Sequence, residues 1–385
     1  MLTAVYLPAL LLSFCNGLLV PTLPLYATGL GISLALVGVV LAAESIGTLL
    51  ADVPAGLLLS RFGDKGVMVV GVGLVALSVV LLVPAHGVVE VIGLRLVAGF
   101  GQALWGLSRH AFLAQATRSG GRGRAISTFG GVSRVGALLG PAIGGAVAAA
   151  WGLRAPFVLH GVVGLVALVV VLRAVPTDAA ARRARPGVGR HAGYAALRGS
   201  AGTLARAGLA QLMAQMLRAG RRVLLPLYAS QVLGLDVGAV GLVLSASAFA
   251  DMTLFYPAGL LMDRFGRKFA IVPSFVVQAL GLALVPLTQG FGSLLAVALL
   301  LGFGNGLSAG TMMTLGADLA PPEALGTFLG VWRLIGDAGS SGGPLLVGAV
   351  AEALDLGLAA IAVGAVGLAA AAVFAYSVKE TLTRA

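Results

Sequence analysis

Long apolar segments, separated by short polar ones, fill this chain from end to end. Segments of roughly 20 apolar residues are long enough to cross the hydrocarbon core of a bilayer as helices. Twelve of them can be drawn, so we expect twelve transmembrane helices. The predicted spans cover residues 5–28, 34–59, 67–88, 91–115, 125–149, 153–174, 204–231, 238–262, 269–288, 292–318, 326–351 and 356–378.

The longest polar segment, residues 175–203, follows the sixth span and contains five arginines. A polar, basic segment of this length is typical of a flexible linker. We expect it to join an N-terminal six-helix bundle, residues 1–174, to a C-terminal six-helix bundle, residues 204–385. The predicted fold class is an all-α membrane protein, with twelve transmembrane helices in two pseudo-symmetric bundles.

The composition argues against a soluble protein. Only 10% of the 385 residues are charged and the mean hydropathy is +1.03, whereas soluble domains carry about 25% charged residues. The net charge of +11 does not indicate a nucleic-acid partner, because the basic residues concentrate in alternate loops. With the N-terminus inside, 17 of the 25 Lys and Arg residues lie in or beside cytoplasmic loops, the linker and the tail. We therefore expect both termini in the cytoplasm.

The two halves of the chain repeat one another at an offset of 203 residues. Gly56 corresponds in this way to Gly259. The same offset relates Gly99-Phe100-Gly101 to Gly302-Phe303-Gly304, and Gly140-Pro141 to Gly343-Pro344. Duplicated six-helix halves are a transporter architecture, in which the substrate site lies near the middle of the membrane between the repeats.

Three motifs stand out against this apolar background. The segment GLLMDRFGRK, residues 259–268, is one, and its copy at residues 56–65 has Ser60 in place of the aspartate and Asp64 in place of a basic residue. The second motif is Arg95-x-x-Ala98-Gly99-x-Gly101 in the fourth span. The third, in the fifth span, consists of Gly136, Gly140, Pro141, Gly144 and Gly145.

These motifs are similar to those of the major facilitator superfamily, and the resemblance covers nearly the whole chain. In that family the ten-residue motif forms the loop between the second and third helices of each half. The Arg95 motif is associated with proton-coupled members, and the fifth-span motif is typical of the antiporter branch, which exports its substrates. The resemblance therefore implies a twelve-helix drug:proton antiporter, the type of efflux transporter that confers multidrug resistance. Read from the residues alone, the glycines of the fifth span also fit ordinary close packing of helices.

Charged residues fall well inside the predicted spans, where each costs about 3 kcal/mol unless it faces protein or water. They are the acids Glu44, Asp52, Asp251 and Asp337, and the arginines Arg95, Arg109, Arg134, Arg218, Arg221, Arg222 and Arg333. Such residues are candidates for substrate, proton or gating functions.

Two polar stripes run along the fourth and seventh spans at helical spacing. Arg95, Gln102 and Arg109 form the first stripe, and Gln211, Gln215, Arg218 and Arg222 form the second, from which Arg221 points away. The resemblance implies that these spans line a central cavity, with Asn16, Asn305 and Ser308 contributed by spans 1 and 10. Trp105 could stack on a substrate or simply pack within the protein. The alternative for both stripes is that they only bridge neighbouring helices by hydrogen bonds.

A carboxyl group in an apolar span resists ionisation, as a proton carrier requires. We expect Glu44 and Asp251 to carry protons. Asp337 is a further candidate, although Arg333 lies four residues before it and could neutralise it along the helix.

A gate is expected where the family packs span 2 near span 11 and span 5 near span 8. Asp52 and Arg333 lie equally deep in their spans, so we expect them to pair, and likewise Arg134 with Asp251. The other candidate gating residues belong to the ten-residue motif and its copy: Arg61, Asp263, Arg264 and Arg267.

We find no phosphate-binding loop, no metal-binding cluster and no catalytic constellation in the sequence, so we expect no cofactor and no enzymatic activity. The function expected is proton-coupled export of a small organic compound by a monomer in the bacterial cytoplasmic membrane. The excess of arginines over acids favours anionic or neutral substrates over cations. Import of an anionic metabolite by a facilitator or proton symporter is the alternative. A membrane-embedded enzyme or a non-transporting scaffold would be of another class.

Overall fold

The computed structural model describes residues 2–116, 122–176 and 199–382. Helices fill most of these ranges, and the ranges contain no β-strand. Most of the predicted linker, with its five arginines, lies outside the described residues.

A short π-helix, Leu2–Tyr6, leads into the first five α-helices. These are α1 (Leu7–Thr28), α2 (Leu34–Val80), α3 (Val88–Ala116), α4 (Arg122–Trp151) and α5 (Ala155–Ala174). The second and third predicted spans both lie in α2, which changes direction at Gly63, where φ is 76°. Glycine suits this position because it alone adopts positive φ without steric strain.

Eight further α-helices follow residue 199. They are α6 (Ala201–Gln231), α7 (Val237–Thr253), α8 (Phe255–Phe265), α9 (Arg267–Leu284), α10 (Phe291–Leu307), α11 (Thr311–Leu319), α12 (Leu325–Ala353) and α13 (Leu356–Ser377). The eighth predicted span is the pair α7 and α8, bent by 40°, and the tenth is the broken pair α10 and α11. Short 3₁₀ turns, Val285–Leu287 and Pro322–Ala324, follow α9 and precede α12.

Every predicted span thus has a helix, and the expected fold class is confirmed. By length and apolar composition alone, eight of the described helices could cross a membrane, or nine if the bent pair counts as one span. Of these, α2 is 47 residues long and contains two spans. Helices α6 and α12 are long enough, at 31 and 29 residues, but carry the arginines and acids that lower their hydropathy.

The chain divides into two compact units. Unit 1 contains Met1–Arg185 and Gly234–Ser245, and unit 2 contains Pro186–Leu233 and Ala246–Ala385. The boundary falls inside α7, whose first half therefore belongs to unit 1.

The glycines of the fifth predicted span make α4 pack tightly on α1. A methyl group on Gly136 would lie 2.6 Å from the Leu10 carbonyl oxygen, and one on Gly140 would lie 2.5 Å from the Gly17 Cα. In unit 2, α12 packs on α6 in the same way: a methyl group on Gly343 would lie 2.4 Å from the Met216 carbonyl oxygen. Gly140 and Gly343 are 203 residues apart, so the sequence repeat is also a packing repeat.

Candidate functional site: paired charges inside each unit

An ion pair lies inside unit 1, between α2 and α3. Arg95 donates from Nη2 to an Oε2 of Glu44. The Arg95 side chain is 6% exposed and that of Glu44 is 26% exposed. The sequence predicted separate roles for the two residues, with Glu44 as a proton carrier and Arg95 on a cavity-lining stripe. The structure brings them together.

Two glycines let the backbones of α2 and α3 meet beside this pair. A methyl group on Gly99 would lie 2.0 Å from the Glu44 carbonyl oxygen, and one on Gly47 would lie 2.2 Å from that of Leu96. Thr48 joins the helices as well, since its hydroxyl lies 3.0 Å from the Glu44 carbonyl oxygen and 3.1 Å from that of Gly99. The position of Glu44 is therefore fixed by packing as well as by charge.

Unit 2 repeats this helix contact with different polar groups. A methyl group on Gly302 would lie 2.1 Å from the carbonyl oxygen of Ser247, which corresponds to Glu44 in the repeat. The acid of unit 2 is Asp251, which accepts a hydrogen bond from Asn305 Nδ2 at 2.8 Å. Because Asp251 corresponds to Thr48, the carboxylate of unit 2 lies one helical turn further along its helix.

Arg218 bridges three helices of unit 2. Its Nη2 donates to Ser308 Oγ at 2.7 Å, and its guanidinium group lies 5.4 Å from the centre of the Phe275 ring. Ser308 in turn lies 2.7 Å from Ser274 Oγ, to which Gln278 Nε2 donates at 3.1 Å. Ser308 and Phe275 are almost fully buried, so in this conformation Arg218 takes the bridging role that the sequence left open as an alternative.

The other polar residues of α6 have different surroundings. Arg221 Nη1 donates to the Leu301 carbonyl oxygen at 2.7 Å, as expected for a residue off the stripe. Arg222 is exposed, Gln215 is half-buried and Gln211 is buried. Of the two arginines on the predicted stripe, Arg222 is therefore the more exposed.

Arg109 lies against aromatic rings in unit 1. Its guanidinium carbon is 4.7 Å from the centre of the Phe129 ring and 5.7 Å from that of Trp105. Trp105 is 1% exposed and belongs to a core cluster with Met68 and Val72. This burial corresponds to the packing role that the sequence offered for Trp105. Asn16 and Gln102 are half-buried.

The expected neutralising pair on α12 is present, with Arg333 Nε 3.5 Å from Asp337 Oδ2. The other expected pairs, Asp52 with Arg333 and Arg134 with Asp251, would each join residues of different units and stay predictions.

A network of charges surrounds the ten-residue motif in unit 2. Arg267 bonds Asp263 at 3.4 Å and Asp318 at 2.9 Å. Glu380, beyond the last helix, accepts hydrogen bonds from the backbone N–H groups of Arg267 and Lys268 at 2.9 and 3.0 Å. These are the first residues of α9, where a carboxylate satisfies free N–H groups and the helix dipole. We call this set of contacts the tail clasp.

The environment of Glu380 favours its charged form. Partial burial raises the pKa of this carboxyl, but four backbone N–H groups donate to it, and together they hold its pKa below the ordinary value of 4.5. Sequence reasoning missed both Glu380 and Asp318. The only available signal was an acid shortly after the final predicted span.

In both copies of the ten-residue motif, an arginine lies near the ring of the phenylalanine that follows it. Arg264 lies 5.3 Å from the centre of the Phe265 ring, and Arg61 lies 5.5 Å from that of Phe62. Both arginines are exposed. Within the described residues, no group of three or more His, Cys, Asp and Glu side chains could hold a metal ion.

The sequence matches the Major Facilitator Superfamily over residues 5–211 and 207–384. An uncharacterised MFS-type transporter of Bacillus subtilis, YfkF, is 26% identical over 322 residues, which cover 81% of this chain and 78% of that protein. Another, MJ1560 of Methanocaldococcus jannaschii, is 20% identical over 344 residues and 88% of each chain.

Solved structures share the fold. A mutant of the nucleoside transporter NupG aligns with a TM-score of 0.78 at 16% identity, over 98% of this chain and 100% of that one. A D-xylose–proton symporter aligns with a TM-score of 0.79 at 19% identity, over 98% and 97%. With the family matched along both halves, the chain belongs to the Major Facilitator Superfamily and is a multi-pass membrane transporter, not an enzyme.

Proposed function

We propose that this chain is a secondary active transporter that works by alternating access and exports a small organic compound in exchange for protons. The observation that carries the proposal is the arrangement of Glu44 and Asp251. In each unit, one of the acids inside the apolar helices is bonded to a side chain of a neighbouring helix that can release it: Glu44 to Arg95 and Asp251 to Asn305. Protonation of either acid would weaken that bond and so couple a proton to a change in helix packing.

Export is supported by the fifth-span motif, whose glycines form the tight contact between α4 and α1. The positive-inside pattern of the loops supports a bacterial cytoplasmic membrane protein with both termini in the cytoplasm. Among the intramembrane charges on α6, α7 and α12, four arginines accompany two acids. We therefore propose an anionic or neutral organic substrate, with Arg222 as its first contact.

Import by proton symport is the second candidate. It is favoured by the likeness to a D-xylose–proton symporter, although that likeness shows the fold alone. The two candidates differ in the direction in which substrate moves when a pH gradient is imposed.

Transport by the purified protein in liposomes tests the proposal. A panel of anionic, neutral and cationic compounds is assayed with and without a pH gradient. We expect an anionic or neutral compound to move against the proton flux, and Glu44→Gln and Asp251→Asn to lose the dependence on the gradient. Glu323→Gln, an exposed acid outside the long helices, serves as the control and should keep it. Unchanged gradient dependence in both test variants would remove the proton-carrier assignment.

A further inference from the structure

The hydroxyl group of Ser245, on α7, is inserted into the backbone hydrogen bonding of α4. The Ala142 N–H donates to Ser245 Oγ at 2.8 Å, and the Ser245 hydroxyl donates to the Leu138 carbonyl oxygen at 2.7 Å. Ala142 and Leu138 are four residues apart, and in an uninterrupted α-helix these two groups bond directly to each other. All three residues belong to unit 1.

The insertion takes place beside a proline. Pro141 has no N–H, and its ring presses against the carbonyl group one turn earlier, which opens a helix locally. A side chain inserted into the backbone ladder is a recognised cause of a helix bend. Helix α7 lies directly against this point, because a methyl group on Gly241 would lie 2.3 Å from the Pro141 carbonyl oxygen.

Two other buried hydroxyl groups, those of Ser108 and Thr22, bond back to their own helices. Ser108 and Thr22 donate to carbonyl oxygens four residues earlier on their own helices, those of Leu104 and Leu18. The equivalent acceptor for Ser245 is the carbonyl of Gly241, one turn back on α7. Ser245 donates to α4 instead, and it also accepts from the Ala142 N–H of that helix.

The internal repeat shows that the fold does not require this hydroxyl. Pro141 corresponds to Pro344 in the second half, and Ser245 corresponds to Ala42, which has no hydroxyl group. The corresponding helices α4 and α12 therefore differ in this contact, although both contain the proline. The boundary between the units also falls immediately after Ser245.

We propose that the Ser245 hydroxyl holds α4 bent at Pro141 in one state of the transport cycle and releases it in a second state. In the second state the Ala142 N–H bonds directly to the Leu138 carbonyl, and the Ser245 hydroxyl turns back to the Gly241 carbonyl. Two hydrogen bonds exist in each state, so the exchange changes helix shape at little net cost in free energy. The inference rests on the proposed alternating-access cycle.

The bend of α4 can be measured without any substrate. Spin labels at Val135 and Trp151 lie on the two sides of Pro141, at exposed positions of α4, and would be introduced in a Cys15→Ala background. We expect Ser245→Ala to shift the distance distribution between the labels towards the longer distance of a straighter helix. Ser247→Ala removes the same atom from a similarly buried serine of α7 and should leave the distribution unchanged.

A second pair of variants guards against a folding defect. Thr and Val have nearly the same shape, and only Thr keeps the hydroxyl, so Ser245→Thr should retain the short distance and Ser245→Val should lose it. In the transport assay, we expect the hydroxyl-free variants to change turnover about fivefold with KM unchanged, the effect of one net hydrogen bond. Equal distance distributions for Thr and Val at this position would overturn the proposal. That result is distinguishable from failure of the proposed function, because the spin-label measurement needs no transported compound.

Discussion

Arg95 and Glu44 form an ion pair across the contact between α2 and α3, inside the membrane-spanning part of unit 1. Removing one partner of such a pair leaves the other charge without its counter-ion between the two helices. We expect Arg95→Met to lower the free energy of unfolding by roughly 3 kcal/mol, a typical value for a broken buried pair. Adding Glu44→Gln should recover most of that loss, because the remaining side chain is then neutral. Denaturant titration in detergent measures the free energy of unfolding of both variants. A double variant no more stable than Arg95→Met alone would contradict the pairing.

The close contact at Gly99 makes a sharp prediction with a control on the same helix. A methyl group there would lie 2.0 Å from the Glu44 carbonyl oxygen, so Gly99→Ala has to push α2 and α3 apart. We expect it to destabilise the protein by about 3 kcal/mol through overpacking and to abolish transport. A methyl group on Gly93, also on α3, meets nothing within 4 Å.

Gly93→Ala should therefore be neutral or stabilising by about 0.5 kcal/mol, since alanine favours helix more than glycine does. Thermal unfolding of the two variants side by side checks this pair of expectations. Similar melting temperatures for both variants would show that the helix contact is looser than described.

Because of the tail clasp, we expect the thermal stability of the protein to depend on pH. Because the folded protein holds the pKa of Glu380 below its ordinary value of 4.5, the carboxylate stabilises the fold fully above that value. This contribution should be lost as the pH falls through the lower folded-state pKa. We expect Glu380→Gln to lower Tm by about 2 °C at pH 7 and to have a smaller effect in stronger acid. Glu323→Gln is the matched control, and a Tm difference that did not shrink on acidification would argue against the clasp.

We expect substitution of Arg218 to affect stability and substitution of Arg222 to affect substrate binding. Arg218 bonds Ser308 and lies over Phe275, so Arg218→Ala should destabilise unit 2 by about 2 kcal/mol through lost hydrogen bonding and packing. Arg222 is exposed on the same helix, and Arg222→Ala should raise KM severalfold with little change in Tm. Melting curves and transport kinetics of the two variants, taken together, test the division. A substantial loss of stability in Arg222→Ala, with KM unaltered, would contradict it.

The spans could be predicted from the sequence because each is long, apolar and bounded by polar residues, and a bilayer has a fixed thickness. Which side chains meet was harder to predict. Helical spacing placed Arg218 on a stripe but did not show which neighbour that stripe faces, and in the structure it reaches Ser308 and Phe275. Glu44 and Arg95 were both identified, yet their pairing depends on the relative rotation of two helices.

The charged motif was also misread in one respect. The resemblance to the family implies that its first copy forms a loop between two spans. The backbone instead continues as helix on both sides of Gly63. Charged residues interrupt the apolar pattern but leave the helix intact. The change of direction comes from Gly63, whose positive φ ends one helical segment and begins the next.

This single-residue connection leaves no slack in the chain. Most connections between helices absorb an extra residue by lengthening, whereas an insertion next to Gly63 would rotate everything after it by about 100° about the helix axis. Gly71, whose missing side chain lets the Trp105 backbone approach α2, would then face elsewhere. Gly63 therefore fixes how the following span is rotated about its axis relative to the first part of α2. Its counterpart Gly266, with φ of 105°, does the same for α9.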